Sequence, residues 1–182
     1  TNVVKVHNPE THPDVFVEDI NRLVRQLNID AFLTHSDEMA TVVSHAAERL
    51  HVSSPLPNFP VFEHVIDKQK TLETAQKLGI PTPNTIVTDD SLDVKAELNR
   101  LNIEYPVILK PRRRGSKGGT LLITSQSELE SKLIEFDQIG DDLPTSAYSK
   151  ALIQENVPGD IHDCCVLYQN GCLKAMLTQV RH

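Results

Sequence analysis

Apolar and polar positions alternate along the chain in two rhythms, one of period two and one of period about 3.6. VVKV (3–6) reads as a short buried strand. DVFVEDINRLVRQLN (14–28) sets Phe16, Ile20, Leu23 and Leu27 on one face of a predicted helix. IDAFLT (29–34) reads as a second strand. Ser36 then caps a helix whose positive first turn holds Asp37 and Glu38, with Met39, Val42, Val43, Ala46 and Leu50 as its apolar stripe. Strand, helix, strand, helix predicts a parallel α/β sheet, and two strands before position 55 make half of a doubly wound layer. SSPLPNFP (53–60) reads as a linker.

The rhythm changes in the second half. Asp67 is the expected N-cap of a helix carrying Leu72, Ala75 and Leu78, and Gly79 with Pro81 is its expected stop. NTIVT (84–88) reads as a strand, and a helix follows from about Ser91 to Leu101. PVILK (106–110) and GTLLI (119–123) form two strands around a basic, glycine-rich tip. Ser125 and Glu128 form a capping box for a helix with Leu129, Leu133 and Phe136 on one side. Residues 137–150 are polar and predict a loop. ALIQE, IHDCCVLY and CLKAMLTQV then read as three strands, the last two joined by an Asn-Gly turn. The expected architecture is α/β: a partial parallel unit over 1–59, then an α+β unit over 60–182.

Composition narrows the function classes. The 182 residues are 39% hydrophobic, enough for one sizeable core or two small ones. Lys and Arg total 18 against 25 acids, a net charge of −7, which disfavours a general attraction to nucleic acid or anionic membranes. Cys164, Cys165 and Cys172, odd in number and crowded together, do not form a secreted disulfide framework and fit a reducing cytoplasm. No apolar run reaches eighteen residues, and no charged-then-apolar leader is visible.

Several residue groups could carry chemistry. Lys110 ends an apolar strand, so its ammonium must reach water or meet an anion. Gly115, Gly118 and Gly119 allow backbone conformations that turn N–H groups toward one point, with Ser116 and Lys117 adding a hydroxyl and a charge. This loop could wrap a polyphosphate, although it is neither GxxxxGK[ST] nor GxGxxG. A solvated hairpin tip or a short nucleic-acid patch would use the same residues. In IQENVPGD (153–160), main-chain groups could hydrogen-bond a purine and Asp160 could accept from a ribose. An ordinary strand ending in a Pro-Gly turn would look alike. His162, Asp163 and the cysteines lack metal-ligand spacing, and buried cysteines filling apolar space are the better expectation. His35 and His45 read as helix-end or surface residues.

DKQKTLETAQKLGIPTPNT, YPVILKPRRRGSKGGT and IQENVPGDIHDCCVLYQNG, in that order and spacing, resemble ATP-grasp proteins, and are most similar to the large chain of carbamoyl-phosphate synthase and its relatives. HNPETHPDVFVEDINRLVRQLNIDAFLTHSDEMATVVSHAAERL is similar to the latter part of the domain that precedes the grasp there. The resemblance implies that Lys68 and Lys110 meet ATP phosphates and that Gly115, Ser116, Gly118 and Gly119 belong to the loop closing over them. It implies that Gln154 and Glu155 lie beside adenine, with the Val157 amide on the purine ring. The ribose-binding acid that the resemblance implies falls where this chain has Ile161, so either Asp160 substitutes from one position earlier or the ribose contact is weakened.

The resemblance also implies magnesium as a cofactor. The acid and Glu-x-Asn element that hold it in ATP-grasp enzymes are expected on strands later than TQVRH, so no catalytic residue or metal ligand is assigned here. Arg181 is expected to be solvated. The implied chemistry is carboxylate activation as an acyl phosphate for attack by an amine, with ATP and a small carboxylate as partners, oligomers compatible and nucleic acid disfavoured. The alternatives are a nucleotide-binding or regulatory module without turnover, and RNA binding by the basic tip.

Overall fold

A computed structural model describes residues 3–9, 11–89, 91–113, 119–141 and 151–181. The helices are α1 (Pro13–Leu27), α2 (Asp37–His45), α3 (Phe59–Ile66), α4 (Lys68–Lys77), α5 (Val94–Arg100) and α6 (Gln126–Asp141). The strands are β1 (Thr85–Val87), β2 (Val107–Pro111), β3 (Leu121–Ile123), β4 (Ala151–Glu155), β5 (Ile161–Gln169) and β6 (Cys172–Arg181). The fold is mixed α/β, and its two sheets are antiparallel: one ordered β1-β4-β2-β3, the other the β5-β6 pair.

The parallel sheet expected in the first unit does not form among the described residues. VVKV pairs with no strand and leaves Val3 and Val4 exposed, and IDAFLT is reduced to one parallel bridge, Ala31 to Ser53. A strand exists only where a second backbone takes up its N–H and C=O groups, which an apolar run cannot guarantee. Here the front is held by side chains instead. Phe16, Val17 and Ile20 of α1 pack with Val43 and Ala46, and Val24 joins them. The buried face of α1 is therefore Phe16-Val17-Ile20-Val24, and Leu27, expected inside, is exposed. Asn21 ties α1 to the segment after α2, donating to the Arg49 carbonyl and accepting from the His51 amide, both at 2.8 Å.

The segment read as a linker is folded. Ser53 forms the bridge to Ala31, Leu56 packs against the front core, and Asn58 caps α3, whose second residue is Pro60. An Asn followed by Pro at the second helical position is a helix start, and that signal outranks the Pro-rich composition. The His45 ring stacks on Phe59 at 3.4 Å, and the Ser44 hydroxyl donates to the Pro57 carbonyl at 2.8 Å, joining the end of α2 to α3.

The caps read from sequence hold where Ser36 accepts from the Met39 amide and Asp67 from the Gln69 amide. Gly79, at φ +70, follows α4. Ser125 accepts from the Glu128 amide, while the Glu128 carboxylate reaches back one residue further than expected, to the amide and hydroxyl of Thr124. α6 continues beyond Phe136 to Asp141, into part of the expected loop.

Alternation in the four-stranded sheet separates two faces. On one, Ile86, Val107, Leu109, Ile123, Ala151 and Ile153 pack with Leu98 of α5 and Leu129 and Phe136 of α6. The opposite face aligns Thr85, Gln154 and Ile108 in one cross-strand row and Val87, Leu152 and Lys110 in the next. One face is the core, and the other carries polar chemistry.

Candidate functional site

Lys110 stands on the polar face of β2, two residues along from the partner of Gln154, so the two side chains are diagonal neighbours. The Lys110 ammonium donates to Gln154 Oε1 at 2.7 Å, and Gln154 Nε2 donates to Thr85 Oγ1 at 2.7 Å. Gln154 is only 8% exposed, and both ends of its amide are used. Burial first, and then the positive charge of Lys68, push the Lys110 ammonium below its ordinary pKa. Two cations thus share one region, and Lys110 donates to a neutral amide there. A polyanion placed there would relieve both the repulsion and the desolvation.

Lys68 arrives from elsewhere in the sequence. It is the first residue of α4, and its backbone N–H donates to the Arg112 carbonyl at 3.1 Å, just beyond the end of β2. The residue before it, Asp67, is 0% exposed and receives both arms of the Arg112 guanidinium, Nε to Oδ1 and Nη2 to Oδ2, each at 2.7 Å. Arg113 Nε donates to the same carboxylate at 3.2 Å, and its Nη2 donates to Glu63, which also pairs with Lys70. Burial alone would push the Asp67 carboxyl up, but the hydrogen bonds and charges of Arg112 and Arg113 outweigh it and hold the acid below its ordinary range. Two of the three arginines in the basic stretch are therefore spent on internal acids.

The structure brings Lys68, Lys110 and Gln154 together. Glu155 faces the other way: its carboxylate accepts from the Asn84 amide at 2.9 Å and from Asn84 Nδ2 at 3.1 Å, and its own N–H donates to the Asn84 carbonyl at 3.0 Å. Residues 156–160 leave β4 exposed, Val157 at 62%, with Gly159 at φ +132 turning the chain and Asp160 at the surface. Gly119, at φ +74, leads into β3. Gly115, Ser116, Lys117 and Gly118 lie outside the described residues.

The hairpin β5-β6 corrects one expectation. Cys164, Cys165 and Cys172 are exposed, not buried, because among the described residues nothing covers either face of the pair. The register confirms that His162 and Asp163 point to opposite faces, opposite Val180 and Gln179. Arg181 Nε donates to Asp163 Oδ2 at 2.5 Å and is committed on the hairpin. Among the described residues, no group of three or more His, Cys, Asp or Glu could cage a metal ion. No described helix is long and apolar enough to cross a membrane.

Sequence reasoning missed Asp67 as anything but a cap, and missed Glu63, Arg112, Arg113 and Thr85. The acid-lysine order DK was visible. Its bidentate partner 45 residues away was not, since only the docking of α4 on the end of β2 makes the contact.

No protein-family model matches the chain. It is 26% identical over 190 residues to a D-aspartate ligase of Enterococcus faecium, covering 92% of this chain and 43% of that protein. Its structure is similar to that of the D-alanine–D-alanine ligase from Coxiella burnetii, with a TM-score of 0.67, 17% identity, and coverage of 83% of this chain and 43% of that one. It is also similar to the biotin carboxylase domain of Hydrogenobacter thermophilus 2-oxoglutarate carboxylase, solved with MgADP and bicarbonate, with a TM-score of 0.63, 20% identity, and coverage of 87% and 35%. The chain thus spans less than half the length of the D-aspartate ligase it matches. Its fold is similar to that of these two solved structures.

Proposed function

We propose that the chain binds ATP, as the nucleotide-holding part of an ATP-grasp ligase that joins a carboxylate to an amine through an acyl phosphate. The observation that carries this is the junction of the start of α4 with the exit of β2, where the Lys68 N–H meets the Arg112 carbonyl and the Lys68 charge acts on Lys110, itself held by Gln154 on the sheet face opposite the core. Lys68 and Lys110 neutralise phosphate charge, where a low local dielectric makes each cation count for more than in water. Gly115, Ser116, Gly118 and Gly119 close over the triphosphate. Gln154 and Glu155 lie beside the purine, the Val157 N–H pairs with its ring, and Asp160 takes a ribose hydroxyl.

The substrates are drawn from the relatives: an amino acid or similar small carboxylate, in a cytoplasmic setting, with magnesium supplied by residues other than those described. The division at 59/60 and the likeness to carbamoyl-phosphate synthase belong to the same proposal. A nucleotide-binding module without turnover is the second reading. RNA binding by the basic tip is disfavoured by the ion pairs of Arg112 and Arg113 and by the net charge of −7.

A melting series tests the reading. ATP at about a hundred times its dissociation constant should stabilise the protein by about 2.7 kcal/mol. Lys110→Ala should cut that shift by about half or more. A wild-type melting curve unchanged at millimolar ATP contradicts both nucleotide readings, and retention on RNA that falls steeply with salt would favour the third. Phosphate release by the wild type with magnesium separates a ligase from a module.

A further inference from the structure

After Lys110 the chain passes through Pro111 into two arginines, and both turn back to the carboxylate that immediately precedes Lys68. Asp67 is 0% exposed and accepts four hydrogen bonds: two from Arg112 at 2.7 Å, one from Arg113 at 3.2 Å and one from the Gln69 amide at 3.1 Å. The Lys68 N–H to Arg112 carbonyl bond adds a main-chain link at the same crossing. The start of α4 and the exit of β2 are thus joined by a bidentate fork and a backbone bond. One lysine stands one residue from that joint, and the other two residues from it.

We propose that Asp67 is a positioning residue: it fixes the spacing of Lys68 and Lys110 and holds Arg112 and Arg113 away from any phosphate bound between them. This rests on the reading of the two lysines as phosphate ligands. A buried ion pair is poor evidence of net stability, because desolvation offsets its attraction, but a carboxylate with four donors has little freedom of orientation. That rigidity passes to the residues on either side. A phosphate grip assembled from two distant segments needs such a joint, since a displacement of about 1 Å is enough to weaken it.

The test uses the full chain in two variants. Asp67→Asn keeps the side-chain shape and the cap on α4 but removes the charge. Arg112→Gln cuts the fork from the other side and leaves Asp67 intact, so it carries the test if the first variant does not fold. With lysines labelled by ¹³C-dimethylation, the titration of Lys110 is followed by NMR without nucleotide, and calorimetry measures ATP, inorganic triphosphate and adenosine. In both variants the Lys110 titration should move up toward that of an ordinary lysine, because Lys68 is no longer held beside it. ATP and triphosphate should bind at least tenfold more weakly, with adenosine unchanged. Arg112→Lys, which keeps the charge without the fork, should recover part of the loss.

Folded variants whose Lys110 titration does not move would overturn the assignment. So would triphosphate bound as tightly as in the wild type, or more tightly, because the arginines would then be ligands rather than struts. If the wild type binds neither ATP nor triphosphate while the Lys110 titration still moves in both variants, the positioning role stands and the nucleotide reading falls.

Discussion

The four-stranded sheet and the β5-β6 hairpin are both antiparallel and both rich in aliphatic residues. They differ in what lies against them. In the sheet, Val107, Leu109 and Ile153 are fully buried beneath α5 and α6, and the opposite face is free to carry Lys110 and Gln154. In the hairpin, Val166, Leu167, Tyr168, Met176, Leu177 and Val180 are each between 42% and 62% exposed. Strand pairing satisfies backbone groups in both, but only a covered face adds the burial that fixes side chains in place. A site whose two cations must be held against each other therefore sits on the covered sheet.

The largest expected effect breaks the sheet side of this contrast. Ile153→Ala removes packing under β4 and should cost about 2–5 kcal/mol in urea unfolding. A comparable truncation on the hairpin, Leu177→Ala, should stay within about 0.5 kcal/mol. Equal losses would mean that the hairpin has a cover after all.

Acid should act on the joint at Asp67. Burial raises the Asp67 carboxyl and the two arginines together lower it further than that, so its net pKa is depressed from the ordinary 3.8. The hydrogen bond from Lys70 is the main cause of the depression of Glu63 from 4.5. For carboxyls with depressed folded-state values, the stabilisation is complete above the unfolded values and is lost as the pH falls through the folded ones. The gap in melting temperature between wild type and Asp67→Asn should therefore be constant from pH 5 to 7 and shrink below about pH 4. A gap independent of pH would show that the charge on Asp67 does not matter.

Smaller again is the cap on α3. Asn58→Ala removes the acceptor for the Val61 amide and should cost about 1 kcal/mol, read as a shift in urea midpoint with unchanged slope. Amide exchange sharpens the same comparison without mutation. The amides of β2 and β4 should exchange near the global rate, and those of β5-β6 much faster.

Much of the sheet was legible because its signals are local. The period-two pattern of PVILK and ALIQE, the Asn170-Gly171 turn with both residues at positive φ, and the caps at Ser36 and Asp67 each need only a few neighbouring residues. What failed depends on distant partners. VVKV has the composition of a strand but pairs with no second backbone among the described residues. Leu23 and Leu27 fit a helical stripe that the core of α1 does not use, and the three cysteines have buried chemistry on an uncovered hairpin. The lysines at 68 and 110 could be named from motif likeness. The Asp67 fork that ties them together could not, because it exists only once α4 has docked.

The central claim is that Lys68 and Lys110 grip one triphosphate jointly. A calorimetric double-mutant cycle with ATP, using Lys68→Ala, Lys110→Ala and the pair, measures this most directly. The account predicts at least tenfold weaker binding for each single variant and a double variant that loses less than the sum of the two, since both act on the same anion. Strictly additive losses, or ATP bound by the wild type with an affinity that neither substitution changes, would contradict it.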